Sequence, residues 1–204
     1  MKKAFGLFGV LVLLASCSSS SSPAPSVSRV PAEEQIDLSG YWNDTDVRIV
    51  CESLINDCLN SPRVAQAIAA RGGRRPVVLV GIFRNDSAEH IDTAIIASTM
   101  EVTIFNSGKL DFVAGGRTRL ELREERQDQQ TNASEDTASR LANETGADFL
   151  LTGTVTSIID RAANQTVRTY FVFAEMTDIE TNARMWMAQN SEIKKVIVQP
   201  RYRS

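Results

Sequence analysis

The stretch ADFLLTGTVTSII, residues 147–159, decides the fold class because it predicts a long β-strand at the centre of a sheet. Two further strands follow at about 166–178 and 183–196, and the turn between them falls within IETNA, residues 179–183. Two strands joined by so short a turn pair as an antiparallel hairpin. The last part of the chain is therefore expected to form neighbouring strands of one sheet.

Strands are also predicted upstream of this stretch. PVVLVGIF, residues 76–83, is a nearly unbroken apolar run that ends at the polar segment RNDS. Such a run predicts a strand that is buried on both faces. KLDFVAG, residues 109–115, predicts a short strand. Together with the three strands above, the sheet is expected to contain about four to five strands.

Helical patterns alternate with these strands. A short helix is predicted from Pro62 to about Gly72. Residues 92–107 are rich in Ile, Val and Thr, which also suit a strand, but the cap-like Asp92-Thr93 and the length of the segment favour a helix. The polar stretch 116–130 predicts a surface helix, and Ser134 caps a further helix that ends at Gly146. The clearest helix has seven apolar residues on one face, after a capping segment NDTD: Val47, Val50, Cys51, Leu54, Ile55, Cys58 and Leu59. The chain is therefore predicted to be an α+β domain, with one mixed or antiparallel sheet and helices packed mainly on one side.

The N-terminus has the organisation of a bacterial secretory signal that leads to a cysteine. Two lysines precede an uncharged apolar run over residues 4–14, which is too short to span a bilayer. LASC, residues 14–17, resembles the lipobox of bacterial lipoproteins, in which the cysteine sulfur is acylated and the preceding peptide is removed. The resemblance implies a lipid anchor on Cys17, and Ser18 favours the outer membrane because an aspartate there usually retains lipoproteins in the inner membrane. The alternative is an ordinary secretory signal with a chance cysteine.

Serine and proline dominate the segment that follows the signal. This composition predicts an unstructured tether over residues 17–40, with a reach of at most about 80 Å. The predicted organisation is a cleaved signal peptide over 1–16, the lipidated tether over 17–40, an α+β periplasmic domain over 41–198 and a tail over 199–204. The protein is thus expected to face the periplasm from the outer membrane.

The overall composition is that of a globular protein with no electrostatic case for nucleic acid binding. Hydrophobic residues make up 43% and charged residues 23% of the 204 residues, so a packed core is expected. The formal net charge is −3 and the two signs are interspersed. A mildly acidic chain of this kind has no basic stripe for a phosphate backbone. No nucleic acid partner is therefore predicted.

Two cysteines remain after the lipobox, Cys51 and Cys58, and both fall on the apolar face of the first predicted helix. Seven residues of helix separate their Cα atoms by about 10.5 Å. A disulfide needs a separation below about 7 Å, so the two are predicted to be reduced core residues. A bridge after distortion of the helix and a reactive pair remain as alternatives.

Five stretches in this order, behind a lipobox, resemble the penicillin-binding protein activator lipoproteins of the LpoB family. The resemblance implies a lipoprotein that reaches through the peptidoglycan to a class A penicillin-binding protein, a bifunctional synthase, and stimulates peptidoglycan synthesis. It implies no catalysis, no cofactor and no small-molecule substrate. The stretches are YWNDTD (41–46), PVVLVGIFRNDSAEHIDT (76–93), SGKLDFV (107–113), LREERQDQQTNASEDTASRLANETGADFLLTGTV (122–155) and DIETNARMW (178–186).

Two groups of arginines are candidates for the partner-binding surface. Arginine is favoured at interfaces because its planar guanidinium forms forked hydrogen bonds and is weakly hydrated. The alternative is that these charged side chains only form a solvated surface and bind no partner. The first group lies in RGGRR, residues 71–75, and the second in the polar stretch 116–130; the candidates are Arg74, Arg75, Arg117, Arg119, Arg123 and Arg126.

No catalytic or metal site is predicted. His90 is the single histidine, and with Glu89 and Asp92 it resembles half of a metal site or a base with an orienting acid. A second histidine is lacking, so the segment is interpreted as the loop and cap before a helix. The sequence also lacks the G-x-x-x-x-G-K and G-x-S-x-G motifs. The protein is therefore predicted not to be an enzyme.

Two other functions are alternatives to the activator role. The first is an accessory component of an envelope assembly or secretion complex with a curli-secretion-like domain. A pore is disfavoured because the hairpin over 166–196 carries several charges where a membrane-spanning hairpin alternates apolar and polar residues. The second is a cell-wall hydrolase, which lacks a nucleophile–base pair or paired carboxylates.

Overall fold

The structure is a computed structural model that describes residues 27–113, 115, 118–125 and 146–199. Within these ranges, residues 33 onward belong to one compact unit. Its helices are α1 (Asp44–Asn60), α2 (Pro62–Ala70) and α3 (Thr93–Ser107), and residues 118–125 are also helical. Its strands are β1 (Val77–Asn85), β2 (Asp111–Phe112), β3 (Phe149–Ala162), β4 (Gln165–Asp178), β5 (Arg184–Asn190) and β6 (Lys194–Val198).

The strands form one mixed sheet in the order β2-β1-β3-β4-β5, and β6 pairs with β4. β1 is parallel to both β2 and β3, whereas β4 is antiparallel to β3, β5 and β6. The predicted α+β class with a mixed sheet is thereby confirmed. The described sheet has six strands rather than four to five, because the predicted strand 183–196 is interrupted at 191–193. β5 and β6 pair with successive halves of β4.

The helix boundaries follow from local capping. The Asn43 side chain accepts a hydrogen bond from the Asp46 amide at 3.1 Å, and the Asp46 carboxylate accepts one from the Asn43 amide at 2.9 Å, so α1 begins with a capping box. Asp92 caps α3, which ends at Gly108 in the left-handed conformation with φ of 65°. Pro62 occupies the first turn of α2. The predicted helices over 47–59, 62–72 and 92–107 are confirmed.

The core lies between one face of the sheet and the helices α1 and α3. α1 contributes its predicted apolar stripe, and the largest fully buried side chains include Leu54, Ile96, Met100, Phe149 and Tyr170. The prediction that the strand at 76–83 is buried on both faces is wrong, since Ile82 is 79% exposed. The pairing of β1 with β3 is irregular between Val80 and Phe83. This irregularity keeps Phe83 in the core and leaves Ile82 on the opposite face.

Contacts with the sheet extend into the range predicted as tether. The Lys195 ammonium lies 2.9 Å from the Asp37 carboxylate and 2.7 Å from that of Asp46. The hydrogen bond from Lys195 is the largest influence on Asp37 and lowers the pKa of that carboxyl to about 2. Burial raises the pKa of Asp46, and Lys195 opposes that rise. These bonds attach residues 37–46 to β6, while the domain boundaries themselves stay a prediction.

Candidate functional site

The arginines of the α2–β1 loop form ion pairs at one end of the sheet. Arg74 lies 2.8 Å from Asp148, and Arg75 lies 3.2 Å from Asp111. Arg71 pairs with Asp178 at 3.1 Å and stacks on the ring of Phe149. Burial would raise the pKa of Asp148, but hydrogen bonds from the Val77 amide and Arg74 outweigh it and lower that pKa. Arg74 and Arg75 are exposed, so each guanidinium combines a structural ion pair with an accessible edge.

The second arginine group is described only in part. Residues 118–125 form a helix whose side chains are mostly exposed, as predicted for the polar stretch. Arg123 is exposed and Arg119 is half-buried on this helix, and both interact with neighbouring groups. Arg117 and Arg126 lie outside the described residues, as do the predicted helix after Ser134 and the lipidation site Cys17.

A buried ionic cluster joins the loop before α3 to β4. Glu89 accepts hydrogen bonds from the Tyr170 hydroxyl at 2.8 Å and from the Trp42 amide at 3.4 Å. The Arg168 Nε lies 3.5 Å from Glu89, its Nη1 donates to the Gly40 carbonyl at 3.1 Å, and its guanidinium stacks on Tyr41. The side chains of Glu89 and Arg168 are 7% and 10% exposed. The cluster holds residues 40–42 against the sheet.

This cluster also accounts for the candidate half-site around His90. The Glu89 carboxylate faces Arg168 and Tyr170, while Asp92 accepts a hydrogen bond from the Ala94 amide at 3.0 Å and caps α3. His90 itself is exposed. Burial raises the pKa of Tyr170, and the hydrogen bond to Glu89 raises it further, so the hydroxyl stays protonated as a donor. In the described part of the chain, no group of three or more His, Cys, Asp or Glu residues is arranged to hold a metal ion.

The two cysteines of α1 are buried and unbridged, as predicted. Burial raises the pKa of Cys51 and of Cys58 to about 12 each. Since the thiolate is the reactive form of cysteine, both thiols are protected from oxidants and alkylating agents in the folded protein. The alternative of a bridge is therefore wrong for this structure, and burial of both thiols disfavours a reactive pair.

A groove of about 910 Å³ with a mixed polar and apolar lining lies between the C-terminal half of α1, the start of α2 and β5. Its lining includes Ser53, Asn56, Asp57 and Arg63. The Trp186 Nε1 donates to the Asp57 carboxylate at 2.6 Å, and the Trp186 ring is buried, so it offers no stacking platform. The lining has no histidine, cysteine or paired carboxylates for acid–base or nucleophilic chemistry.

The outward side of α3 is a feature that the sequence patterns above do not single out. Ile95, Val102 and Phe105 are exposed on this side, while Ile96, Met100 and Ile104 pack into the core. The available signal is that residues 93–107 are apolar nearly all round, with Glu101 as the single charged residue. None of the helices described is long and apolar enough to cross a bilayer.

The family model of the peptidoglycan-synthase activator LpoB matches residues 46–192, which takes in α1 through β5. The chain belongs to the LpoB family. The resemblance carried by the five stretches is confirmed, and the match includes most of their residues. LpoB proteins are regulatory activators, so the prediction that the chain is not an enzyme is confirmed as well. The family consists of envelope lipoproteins of the periplasmic space.

Solved structures with a similar chain course include several LpoB domains. The LpoB C-terminal domain from Salmonella enterica is 14% identical, with a TM-score of 0.43, over 76% of this chain and 99% of that one. The domain from Escherichia coli is 14% identical, with a TM-score of 0.45, over 71% and 96%. The NMR structure of E. coli LpoB has a TM-score of 0.39 at 14% identity, over 97% and 96%. No curated protein matches the chain in sequence. The family assignment rests on the match over residues 46–192.

Proposed function

We propose that this protein binds a class A penicillin-binding protein and stimulates its synthesis of peptidoglycan. The observation that carries the proposal is the LpoB match over residues 46–192, which runs from the first turn of α1 to the end of β5 and includes nearly all of the core. The protein acts by binding and not by chemistry. It stabilises the active conformation of the synthase to the extent that it binds that conformation more tightly than the inactive one.

The proposal includes a lipid anchor in the outer membrane. Cys17 carries the acyl groups, and the tether predicted over 17–40 presents the domain to the periplasm, with its last residues bonded to the domain through Asp37 and Gly40. Acyl chains contribute about 0.8 kcal/mol per buried CH₂ group, so two or more chains hold the protein stably on the membrane. We expect mass spectrometry of the outer-membrane fraction to find a chain that begins at an acylated Cys17. An unmodified N-terminus, or an intact protein released by a carbonate wash, would contradict the anchor.

The arginines are proposed as contacts with the synthase. Arg74 and Arg75 are exposed beside their ion-pair partners, and Arg123 is exposed on the helix over 118–125. Arg119 lies on the same helix, and Arg117 and Arg126 flank it in sequence. Forked hydrogen bonding suits these side chains to carboxylates on a partner.

The activator role predicts a direct effect on purified synthase. The test uses the chain from residue 17 onward, with Cys17→Ser in place of the lipidated cysteine, together with each class A synthase of the source organism and lipid II. We expect both the rate of glycan polymerisation and the extent of crosslinking to rise several-fold on addition of the protein, as measured by consumption of labelled lipid II and by analysis of the digested product.

Two controls accompany this experiment. Heat-denatured protein is expected to give no stimulation, and the protein without synthase is expected to leave lipid II unchanged. If the protein stimulates none of the class A synthases, the proposed function is wrong. That result would favour the role of an accessory component in an envelope assembly or secretion complex.

A further inference from the structure

α3 carries large apolar residues on its solvent side as well as on its core side. Ile96, Met100 and Ile104 face the core and are at most 1% exposed. On the opposite side, Ile95 is 53%, Val102 is 58% and Phe105 is 68% exposed. A helix that is apolar all round is normally buried all round. Among the described residues, three large apolar side chains of α3 thus lie in solvent, on a side that also carries Ser98, Glu101 and Asn106.

The three exposed apolar residues and one serine lie along one seam of the helix. Ile95, Ser98, Val102 and Phe105 follow each other at intervals of three, four and three residues, which is the spacing of one helix seam. We call these four residues the α3 stripe. The small Ser98 lets another surface approach closely near the middle, and the stripe is about 15 Å long. An apolar helix face with such anchors fits the groove of a partner protein.

The C-terminal end of the α3 stripe adjoins positive charge. The Arg75 Nη1 donates to the carbonyl of Gly108, the residue that ends α3, at 3.3 Å, while its Nη2 lies 3.2 Å from the Asp111 carboxylate. Lys109 follows directly and is exposed, and its Nζ donates to the Leu59 carbonyl at 3.3 Å. Arg75, Asp111 and Lys109 together carry one net positive charge. Glu101 is the one charge within the exposed side of the helix, and it lies between the anchors rather than at this end. A matching surface would therefore be apolar along its length and acidic where it meets Arg75 and Lys109.

We propose that the α3 stripe, with Arg75 and Lys109 at its end, docks into an apolar groove of the synthase that carries acidic side chains at one end. The inference rests on the proposed function and identifies the surface that performs it. A second copy of this chain is the rival occupant. Two copies that met along one seam of about 15 Å would bury far less than the roughly 800 Å² per partner of a standard stable interface. A groove that encloses the stripe from both sides would bury more of it, which favours the synthase over a second copy.

The test compares two matched double variants in binding to the purified synthase. Val102→Ser/Phe105→Ser removes two anchors from the stripe, and Ile158→Ser/Val198→Ser removes two residues of similar exposure, 61% and 63%, from strands β3 and β6. We expect the first variant to bind at least roughly tenfold more weakly and to lose stimulation in proportion. The second is expected to bind like the parent protein. Arg75→Glu is expected to weaken binding several-fold, with a reduced dependence on salt.

Unfolding curves of both double variants show whether a loss of binding reflects a loss of fold. Ser98→Arg provides a second probe, since it blocks the middle of the stripe without removing any anchor. Equal binding by the parent protein, Val102→Ser/Phe105→Ser and Ser98→Arg would overturn the inference and leave the proposed function intact. Sedimentation that shows a dimer lost only in the stripe variants, with synthase binding unchanged, would assign the stripe to a second copy instead. Absence of binding by the parent protein would overturn both.

Discussion

Replacing Arg168 with methionine is expected to lower the free energy of unfolding by about 3–5 kcal/mol. Arg168 is buried next to Glu89, and its removal leaves the Glu89 carboxylate in the protein interior without its counter-charge. It also removes the hydrogen bond to the Gly40 carbonyl and the stacking on Tyr41, so residues 40–42 lose part of their attachment to the sheet. Urea unfolding of the variant and the parent protein measures the loss.

Arg161→Met is the matched control for this prediction. Arg161 lies on β3 and is exposed, so its replacement is expected to change the free energy of unfolding by less than about 0.5 kcal/mol. A double-mutant cycle with Glu89→Gln then isolates the ion pair. The double variant is expected to lose clearly less stability than the sum of the two single losses, because no unpaired charge remains. Additive losses would show that the pair contributes nothing of its own.

Replacing Gly153 with alanine is expected to lower the free energy of unfolding by about 1–3 kcal/mol or more. Gly153 lies in β3 between β1 and β4, and the Phe83 ring packs over its Cα. A methyl group at this position overlaps with the Phe83 ring and with the backbone carbonyl oxygen of Phe173. The Phe83 ring could move only into a core that is already filled, and the Phe173 carbonyl could move only if β4 were distorted. Neither movement relieves the strain at low cost.

Thr154→Ala serves as the control, because Thr154 is the next residue of β3 and points to the opposite face of the sheet. Its replacement is expected to cost less than about 1 kcal/mol. Thermal or urea unfolding measures the stability of both variants against the parent protein. Equal stability of the two variants would refute the close packing at Gly153. Below its unfolding temperature Gly153→Ala is expected to stimulate the synthase normally, since the α3 stripe lies on a different element.

The helices were predictable because the residues that begin and end them are neighbours in sequence. Asn43 and Asp46 are three residues apart and form the capping box by themselves, and Gly108 directly follows α3. The apolar spacing from Val47 onward likewise assigns the core face of α1 without knowledge of what covers it. The strand at 183–196 was less predictable, because its interruption at 191–193 depends on β4, which pairs with β5 and then with β6.

The candidate site was predictable only in part. RGGRR reveals that Arg74 and Arg75 are charged and in a loop, but not that they pair with Asp148 and Asp111. Glu89 and Arg168 are far apart in sequence, and neither residue type predicts burial. The exposure of the α3 stripe could not be predicted either. An apolar pattern predicts burial, and the sequence does not show that no described element covers these residues.

The sequence by itself predicted the helices and their caps, because these depend on residues that are close together along the chain, and its five stretches carried the resemblance to the LpoB family. Only the tertiary structure decided which apolar residues stay in solvent, which charges are buried as pairs and which strand edges meet. Burial and ion pairing depend on residues that folding brings together from distant parts of the chain, and a local pattern carries no information about those neighbours.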